Sequence, residues 1–281
     1  MESRLRGGDR LLGKVAIVTG AGHEGSVPGT GVAMARLFVA QGARVGIVDI
    51  DAERAENTRD AIRSDAGESD ARDALVVIAD VTDPEQCSAA VDSVTTRFGR
   101  LDVLVNNAAI SGTGRRARYD LEEWRRVLDL NLMGVVHMCA AAVPQLTAAG
   151  GGAIVNISSI AATRAFGVHA YSASKAGVMA LTRDLALTHG RDGIRANCIV
   201  PGHLVTPMGT QGGEELRELR RRASMLGTEG DAWDVAWAAV FLASDESRWI
   251  TAATLPVDAG TTEAAPVALY SFLVDEVAKR D

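Results

Sequence analysis

Short apolar runs rich in β-branched residues alternate with stretches of helical periodicity along nearly the whole chain. Residues 14–19, 44–48, 75–79, 102–105, 153–157, 194–200 and 253–257 are near-continuous apolar runs, the pattern of strands buried on both faces of a sheet. Between them, residues 32–41, 52–64, 84–98 and 121–148, a stretch through Tyr171 to about 189, and residues 212–226 and 231–244 predict helices. Gly42 stops the first helix, and Pro84 opens the third, where a missing N–H costs nothing. No two strands are joined by a hairpin turn. Such alternation predicts an α/β fold: a doubly wound, Rossmann-like parallel sheet in three layers, helices on both faces, in a single domain. That domain is expected over residues 14–262. Residues 1–13 are expected to be a flexible tail, and 263–281 a C-terminal extension packed at a subunit interface or over the active site.

Composition narrows the class. With 281 residues, 47% of them hydrophobic, the chain can bury a large single core and is not a disordered one. A net charge of −7 and a pI near 5.3 disfavour a nucleic-acid partner. Mean hydropathy is +0.07 and no uninterrupted apolar run of spanning length is seen, so no membrane partner is expected. Cys87, Cys139 and Cys198 are far apart and odd in number, and no C-x-x-C occurs. They predict small core residues, with neither a disulfide framework nor a metal site. No apolar leader opens the chain, and a cytoplasmic location is expected.

Two stretches carry chemistry. After the first strand, residues 20–31 hold five glycines, and the helix opens at Gly29-Thr30-Gly31. Glycines let a backbone approach a pyrophosphate, and a helix N-terminus offers free N–H groups with partial positive charge. Asp49 ends the second strand, 18 residues past Gly31. An acid there accepts from the adenosine ribose hydroxyls and repels a 2′-phosphate, so the expected cofactor is NAD. The second stretch is Tyr171-Ser172-Ala173-Ser174-Lys175. A phenol titrates near 10 and is a poor base, but an ammonium one helical turn away favours the phenolate. Just upstream, residues 153–157 lead into Ser158 and Ser159.

Taken together these residues resemble the short-chain dehydrogenase/reductase family, in its single-domain branch, from about Lys14 to Thr262. The motifs in order are Thr19-Gly20 with Gly29-x-Gly31, Asp80-Val81, Asn106-Asn107-Ala108-Ala109, Asn131, Ser158-Ser159, Tyr171-x-x-x-Lys175, and Pro201-Gly202 leading to Thr206-Pro207. The resemblance implies an oxidoreductase moving a hydride between NAD(H) and a small secondary alcohol or ketone. It implies Tyr171 as general acid/base, and Lys175 as binding the nicotinamide ribose and lowering the phenol's pKa. Asn131 would hold a water of the proton relay, and a serine would polarise the substrate oxygen. Asp80 and Val81 would hold the adenine, and Asn106 and Ala108 the ribose and nicotinamide side. Pro201, Gly202, Leu204 and Thr206 would contact the carboxamide. A homo-oligomer, tetramer or dimer, is also implied. Two other readings stand beside this one: an NADPH-dependent 3-oxoacyl-carrier-protein reductase, and a cofactor-binding regulator or scaffold without turnover.

The chain departs from the family pattern in four places. The segment between Gly20 and Gly29, Ala21 to Pro28, is lengthened, which brings His23, Glu24 and Ser26 into question near the cofactor. Strand spacing favours Ser159 over Ser158 as the catalytic serine. Ala252 and Ala259 stand where the family often has glycine. The tail holds Val267, Leu269, Tyr270, Phe272 and further apolar residues. Around the substrate, Arg115, Arg116 and Arg118 predict a solvated loop; Phe166 and His169 predict wall residues. The charged 212–226 stretch predicts an amphipathic lid offering Met208, Leu216, Leu219 and Met225 to the pocket.

Overall fold

The computed structural model describes residues 5, 7–66, 74–112, 119–209, 213–265 and 268. Strands β1 (Val15–Thr19), β2 (Arg44–Asp49), β3 (Ala74–Ile78), β4 (Val103–Asn106), β5 (Gly152–Ile157) and β6 (Ile194–Pro201) join β9 (Thr254–Val257) in one sheet. Its order is β3-β2-β1-β4-β5-β6-β9, and every pairing is parallel. A small parallel pair, β7 (Leu204–Val205) and β8 (Gly230–Asp231), was not visible in the periodicity.

Alternate strand residues feed two cores. Ala16 and Val18 face α1 (Thr30–Ala40) and α8 (Ala232–Ala243). Val15 and Ile17 face α3 (Pro84–Phe98), α5 (Gly134–Ala148) and α6 (His169–His189). Both faces are covered, which is why the strands read as continuous apolar runs. Asp83 caps α3 by accepting from the N–H groups of Glu85 and Gln86, with Pro84 at the first position. Asp231 and Asp234 form a reciprocal capping box on α8. The order reverses between β1 and β4, so the crevice at the strands' C-terminal ends is where this fold binds ligands.

Several expectations are corrected. The first segment is not a free tail over its whole length. Leu11 is fully buried, Gly8, Leu11 and Gly13 bond the backbone at Ala40, Gln41 and Gly42, and Arg10 pairs with Glu246 at 2.6 Å. The run from α4 (Leu121–Leu128) into α5 is interrupted by a π turn at Asp129–Met133. Taken together, Leu121–Ala148 is 28 residues long and, by length and composition only, apolar enough to cross a membrane, although polar residues such as Asn131 and Gln145 interrupt it. In the fold, Met138, Cys139, Ala142 and Leu146 of this run pack into the sheet's core. The three cysteines are buried and free, and burial pushes their thiols up to about 11 or 12, as suits inert core residues. Arg115, Arg116 and Arg118, and nearly all of the apolar tail, lie outside the described residues.

Ala252 and Ala259 both adopt left-handed backbone, at φ 58° and 52°. A Cβ there is strained by about 1–2 kcal/mol, partly offset by the greater unfolded-state freedom of glycine. Changing either alanine to glycine is therefore expected to stabilise the fold by about 0.5–1 kcal/mol. Urea unfolding checks this: a midpoint unchanged or lowered in both variants would contradict it.

Candidate active site and nucleotide cleft

One cavity of about 490 Å³ runs along the C-terminal edge of the sheet. Fourteen of the sixteen residues expected from the sequence line it: Gly20, Gly29, Gly31, Asp49, Asp80, Val81, Ala108, Ser159, Tyr171, Lys175, Pro201, Gly202, Leu204 and Thr206. Asn106 and Asn131 do not.

The turn after β1 is built for close approach. Gly20 takes φ +61°, and a Cβ on it would lie 2.7 Å from the Ala108 Cα. A Cβ on Gly31 would meet the Gly20 carbonyl oxygen at 2.1 Å, so no larger residue fits beneath it. Asn107 holds the turn: its Nδ2 donates to the carbonyls of Thr19 and Gly20, both at 3.0 Å, and its Oδ1 accepts from the Thr30 hydroxyl at 2.7 Å. The first turn of α1 carries no acidic side chain and no side-chain cap, which leaves its N–H groups and positive end available to an anion.

At the β2 end, Asp49 Oδ2 accepts from the Gly22 N–H at 2.7 Å, and Asp49 Oδ1 from the Asp51 N–H at 3.1 Å. The lengthened loop folds over α2 (Ala52–Ala66): the His23 N–H donates to the Arg54 carbonyl, and Asn57 Nδ2 donates to the His23 carbonyl. Glu24 meets Arg54 at 2.6 Å, and Asp51 lies 3.6 Å from the same guanidinium. Glu24 and Arg54 both line the cavity beside Asp49.

The centre belongs to α6 and the end of β5. Lys175 is almost fully buried, and its Nζ donates to the Ile157 carbonyl at 2.9 Å. Burial lowers its pKa to about 8. Tyr171 presents its ring to that ammonium at 5.9 Å. Burial raises the phenol's pKa, with a hydrogen bond from Ser159 pulling the other way. The net direction for the phenol is upward, burial being the larger cause. Both serines line the cavity, but their hydroxyls differ: Ser159 is the one that bears on the Tyr171 phenol, whereas the Ser158 hydroxyl is buried and donates to the Lys175 carbonyl at 2.8 Å.

Asn106 is corrected from cofactor wall to core. It is the last residue of β4 and is buried, with Nδ2 donating to Asn156 at 2.8 Å, and Asn156 in turn to Thr182. The residue after it, Asn107, reaches the cavity instead. Asn131 is fully buried in the π turn; its side chain bonds both the N–H and the carbonyl of Ile110 at 2.9 Å, and Ser174 at 3.1 Å. It docks the loop after β4 against α6.

At the far end, Met208 lines the cavity, but Leu216, Leu219 and Met225 are exposed and do not. Phe166 packs edge-on against His203 at 5.7 Å, and His203 is on the wall. His169 stacks on the exposed Tyr119 instead of facing the cavity. Arg54, His203 and Arg220 were missed by sequence reading. Nothing in a linear pattern marks a helix arginine as facing inward.

A doubly wound sheet, a glycine cradle at a helix N-terminus, and a Ser-Tyr-Lys cluster on one wall define a nucleotide-dependent oxidoreductase. The chain belongs to the short-chain dehydrogenase/reductase family. Residues 25–262 match the family model described as enoyl-(acyl carrier protein) reductase. The chain is 41% identical over 255 residues to 3-alpha-(or 20-beta)-hydroxysteroid dehydrogenase of Mycobacterium tuberculosis, covering 90% of each. It is 40% identical over 258 residues to trans-4-hydroxycyclohexanecarboxylate dehydrogenase of Sinomonas cyclohexanicum, covering 90% of this chain and 95% of that one. A solved 7α-hydroxysteroid dehydrogenase complexed with NADH and 7-oxo glycochenodeoxycholic acid superposes with a TM-score of 0.81 at 31% identity, covering 92% and 97%. The protein is thus an oxidoreductase acting on CH–OH groups of small molecules, with a nicotinamide cofactor.

Proposed function

We propose that the protein is an NAD-dependent dehydrogenase of secondary alcohols, interconverting them with ketones, and that ring alcohols are its natural class. The observation that carries this reading is the meeting of Ser159, Tyr171 and Lys175 on the wall of a cavity whose other end is the glycine cradle and Asp49. The residues present fit the cofactor: Gly31 admits nothing larger, and the α1 N-terminus has no acid of its own to compete with phosphate. Gly20, Gly29 and Gly31 would hold the diphosphate, Asp49 the adenosine ribose, and Asp80 and Val81 the adenine. Lys175 would hold the nicotinamide ribose; Pro201, Gly202, Leu204 and Thr206 would hold the carboxamide. When bound, the nicotinamide supplies the hydride chemistry.

The protein's own part is proton transfer and orientation. In reduction, the neutral Tyr171 phenol gives its proton to the carbonyl oxygen, and Ser159 hydrogen-bonds the same oxygen. In oxidation, the phenolate takes the hydroxyl proton. Asn131 acts as a positioning residue through Ile110 and Ser174. The hydroxysteroid and hydroxycyclohexanecarboxylate dehydrogenases named above support a ring alcohol as substrate.

Cofactor choice rests on carboxylates. Asp49 faces the ribose position, and Arg54, the cation nearest to it on the wall, is already paired with Glu24 and Asp51. A 2′-phosphate would meet acid there, without a free guanidinium to receive it. Fluorescence titration is expected to give NADH a dissociation constant at least about tenfold below that of NADPH. Tighter NADPH binding would move the 3-oxoacyl-carrier-protein reductase reading to the front. Binding of neither would favour the non-enzyme reading. Cytoplasmic placement and a homo-oligomer, dimer or tetramer, are part of the proposal. Free buried thiols fit the first, and the exposed Leu187 and Trp249 fit the second.

A further inference from the structure

The cavity is electrically lopsided. Its acids, Glu24, Asp49 and Asp80, sit at the end formed by β2, β3 and the lengthened loop. Of the cations on its wall, Arg54 is paired with Glu24 at that same end, and Lys175 donates to the Ile157 carbonyl. The remaining one, Arg220, stands at the opposite end, beyond Pro201-Gly202.

Arg220 belongs to α7 (Gly213–Arg222), which carries four arginines in its last two turns. Three of them point away from the cavity into ion pairs. Arg217 meets Glu229 at 2.9 Å and Glu214 at 3.1 Å, Arg221 meets Glu218 at 2.7 Å, and Arg222 meets Glu218 at 2.8 Å. Arg220 is the exception: it lines the cavity, and it has no carboxylate partner among the described residues. Among the described residues its one hydrogen bond goes from Nη1 to the Gly209 carbonyl, which places the guanidinium beside the Thr206–Met208 wall. A guanidinium has five N–H donors, so most of its capacity remains for a ligand. The neighbouring surface is His203, whose imidazole is kept neutral by burial and by the Arg220 charge, with Phe166 edge-on behind it. An apolar wall with one unpaired guanidinium at its far end fits a substrate with an apolar body and a carboxylate remote from the reacting oxygen.

We propose that Arg220 receives the carboxylate of the substrate, so that the enzyme acts on hydroxy or oxo acids with an alicyclic or similarly apolar body. This rests on the reading of the site as a secondary-alcohol dehydrogenase, and names its substrate class. Arg220 is then a specificity-determining residue at the end of the cavity opposite Asp49.

The test is calorimetric titration of NADH-saturated protein with 4-hydroxycyclohexanecarboxylate and, separately, with its methyl ester, a pairing of alcohol with reduced cofactor that cannot turn over. The acid is expected to bind about tenfold or more tightly than the ester. Arg220→Gln is expected to abolish that preference and leave NADH affinity unchanged, while Arg220→Lys keeps part of it. Arg217→Gln, which removes an arginine paired outside the cavity, is expected to keep all of it. Melting curves of each variant confirm that the fold survives. Equal binding of acid and ester by the wild type, or no binding of either, overturns the proposal. So does a loss of NADH affinity in Arg220→Gln, which would assign the guanidinium to the cofactor's phosphates. Failure of the underlying reading is separate and visible beforehand, as failure of the wild type to bind NADH at all.

Discussion

Tyr171→Phe is expected to lower turnover about 100-fold or more while NADH affinity stays nearly unchanged. The substitution removes one oxygen and keeps the ring, and with it the 5.9 Å contact with the Lys175 ammonium. What goes is the proton carrier that Ser159 touches. The raised phenol pKa sets the pH dependence. Oxidation needs the phenolate, so the wild-type rate of alcohol oxidation rises with pH toward that raised value. Reduction needs the phenol, so it persists through neutral pH and falls only in alkali. Tyr171→Phe should be low and flat in both directions. Steady-state rates against pH, with NADH binding measured alongside, check this. Turnover retained in the variant would remove Tyr171 from the mechanism.

Lys175→Met is expected to separate stability from activity. Turnover and NADH affinity should both fall steeply if the ammonium holds the nicotinamide ribose as proposed. Stability follows a different course. The folded pKa, about 8, lies below the unfolded value of about 10.5. Below pH 8 the lysine is charged in both states, and the burial penalty is present in full. Between about pH 8 and 10.5 the folded protein has released the proton and the unfolded chain has not, so the unfolded state binds more protons and stability from this group rises with pH. The nearby Cys198 and Tyr171 have raised pKa values and push the other way in both proteins. The difference between wild type and variant reports the lysine together with its coupling to Cys198, and both move it in the wild type's favour as pH rises across that window. Urea midpoints at pH values spanning it test this, and a difference that stays constant would contradict a buried, charged Lys175.

The order of elements was legible because each strand is buried on both faces and each helix on one, so the chain announces its period directly. Gly31, Asp49, Tyr171 and Lys175 were legible because each sits at a fixed offset from a strand end or along a helix face. Ser159 was placed on the cavity wall by the same route, counting from the end of β5 rather than along the variable loop before Tyr171. Asn106 was misread by one position: β4 turns it into the core and gives the cavity Asn107 instead. The strain at Ala252 and Ala259 was hidden because alanine is silent about φ. Glu24 with Arg54, and Arg220 among its paired neighbours, depend on loops and helices returning to one cleft from distant points in the chain. No local pattern carries that.

The central claim is that this cleft passes a hydride between a secondary alcohol and NAD. Its most direct test is to incubate the protein with ring secondary alcohols deuterated at the carbinol carbon, with NAD or NADP, and to follow the reduced cofactor by absorbance and mass spectrometry. The expected result is reduced NAD carrying the deuterium, little or no reduction of NADP, and none of either with Tyr171→Phe. Label lost to solvent, reduction of NADP in preference to NAD, or no reduced cofactor from any alcohol tested would contradict it.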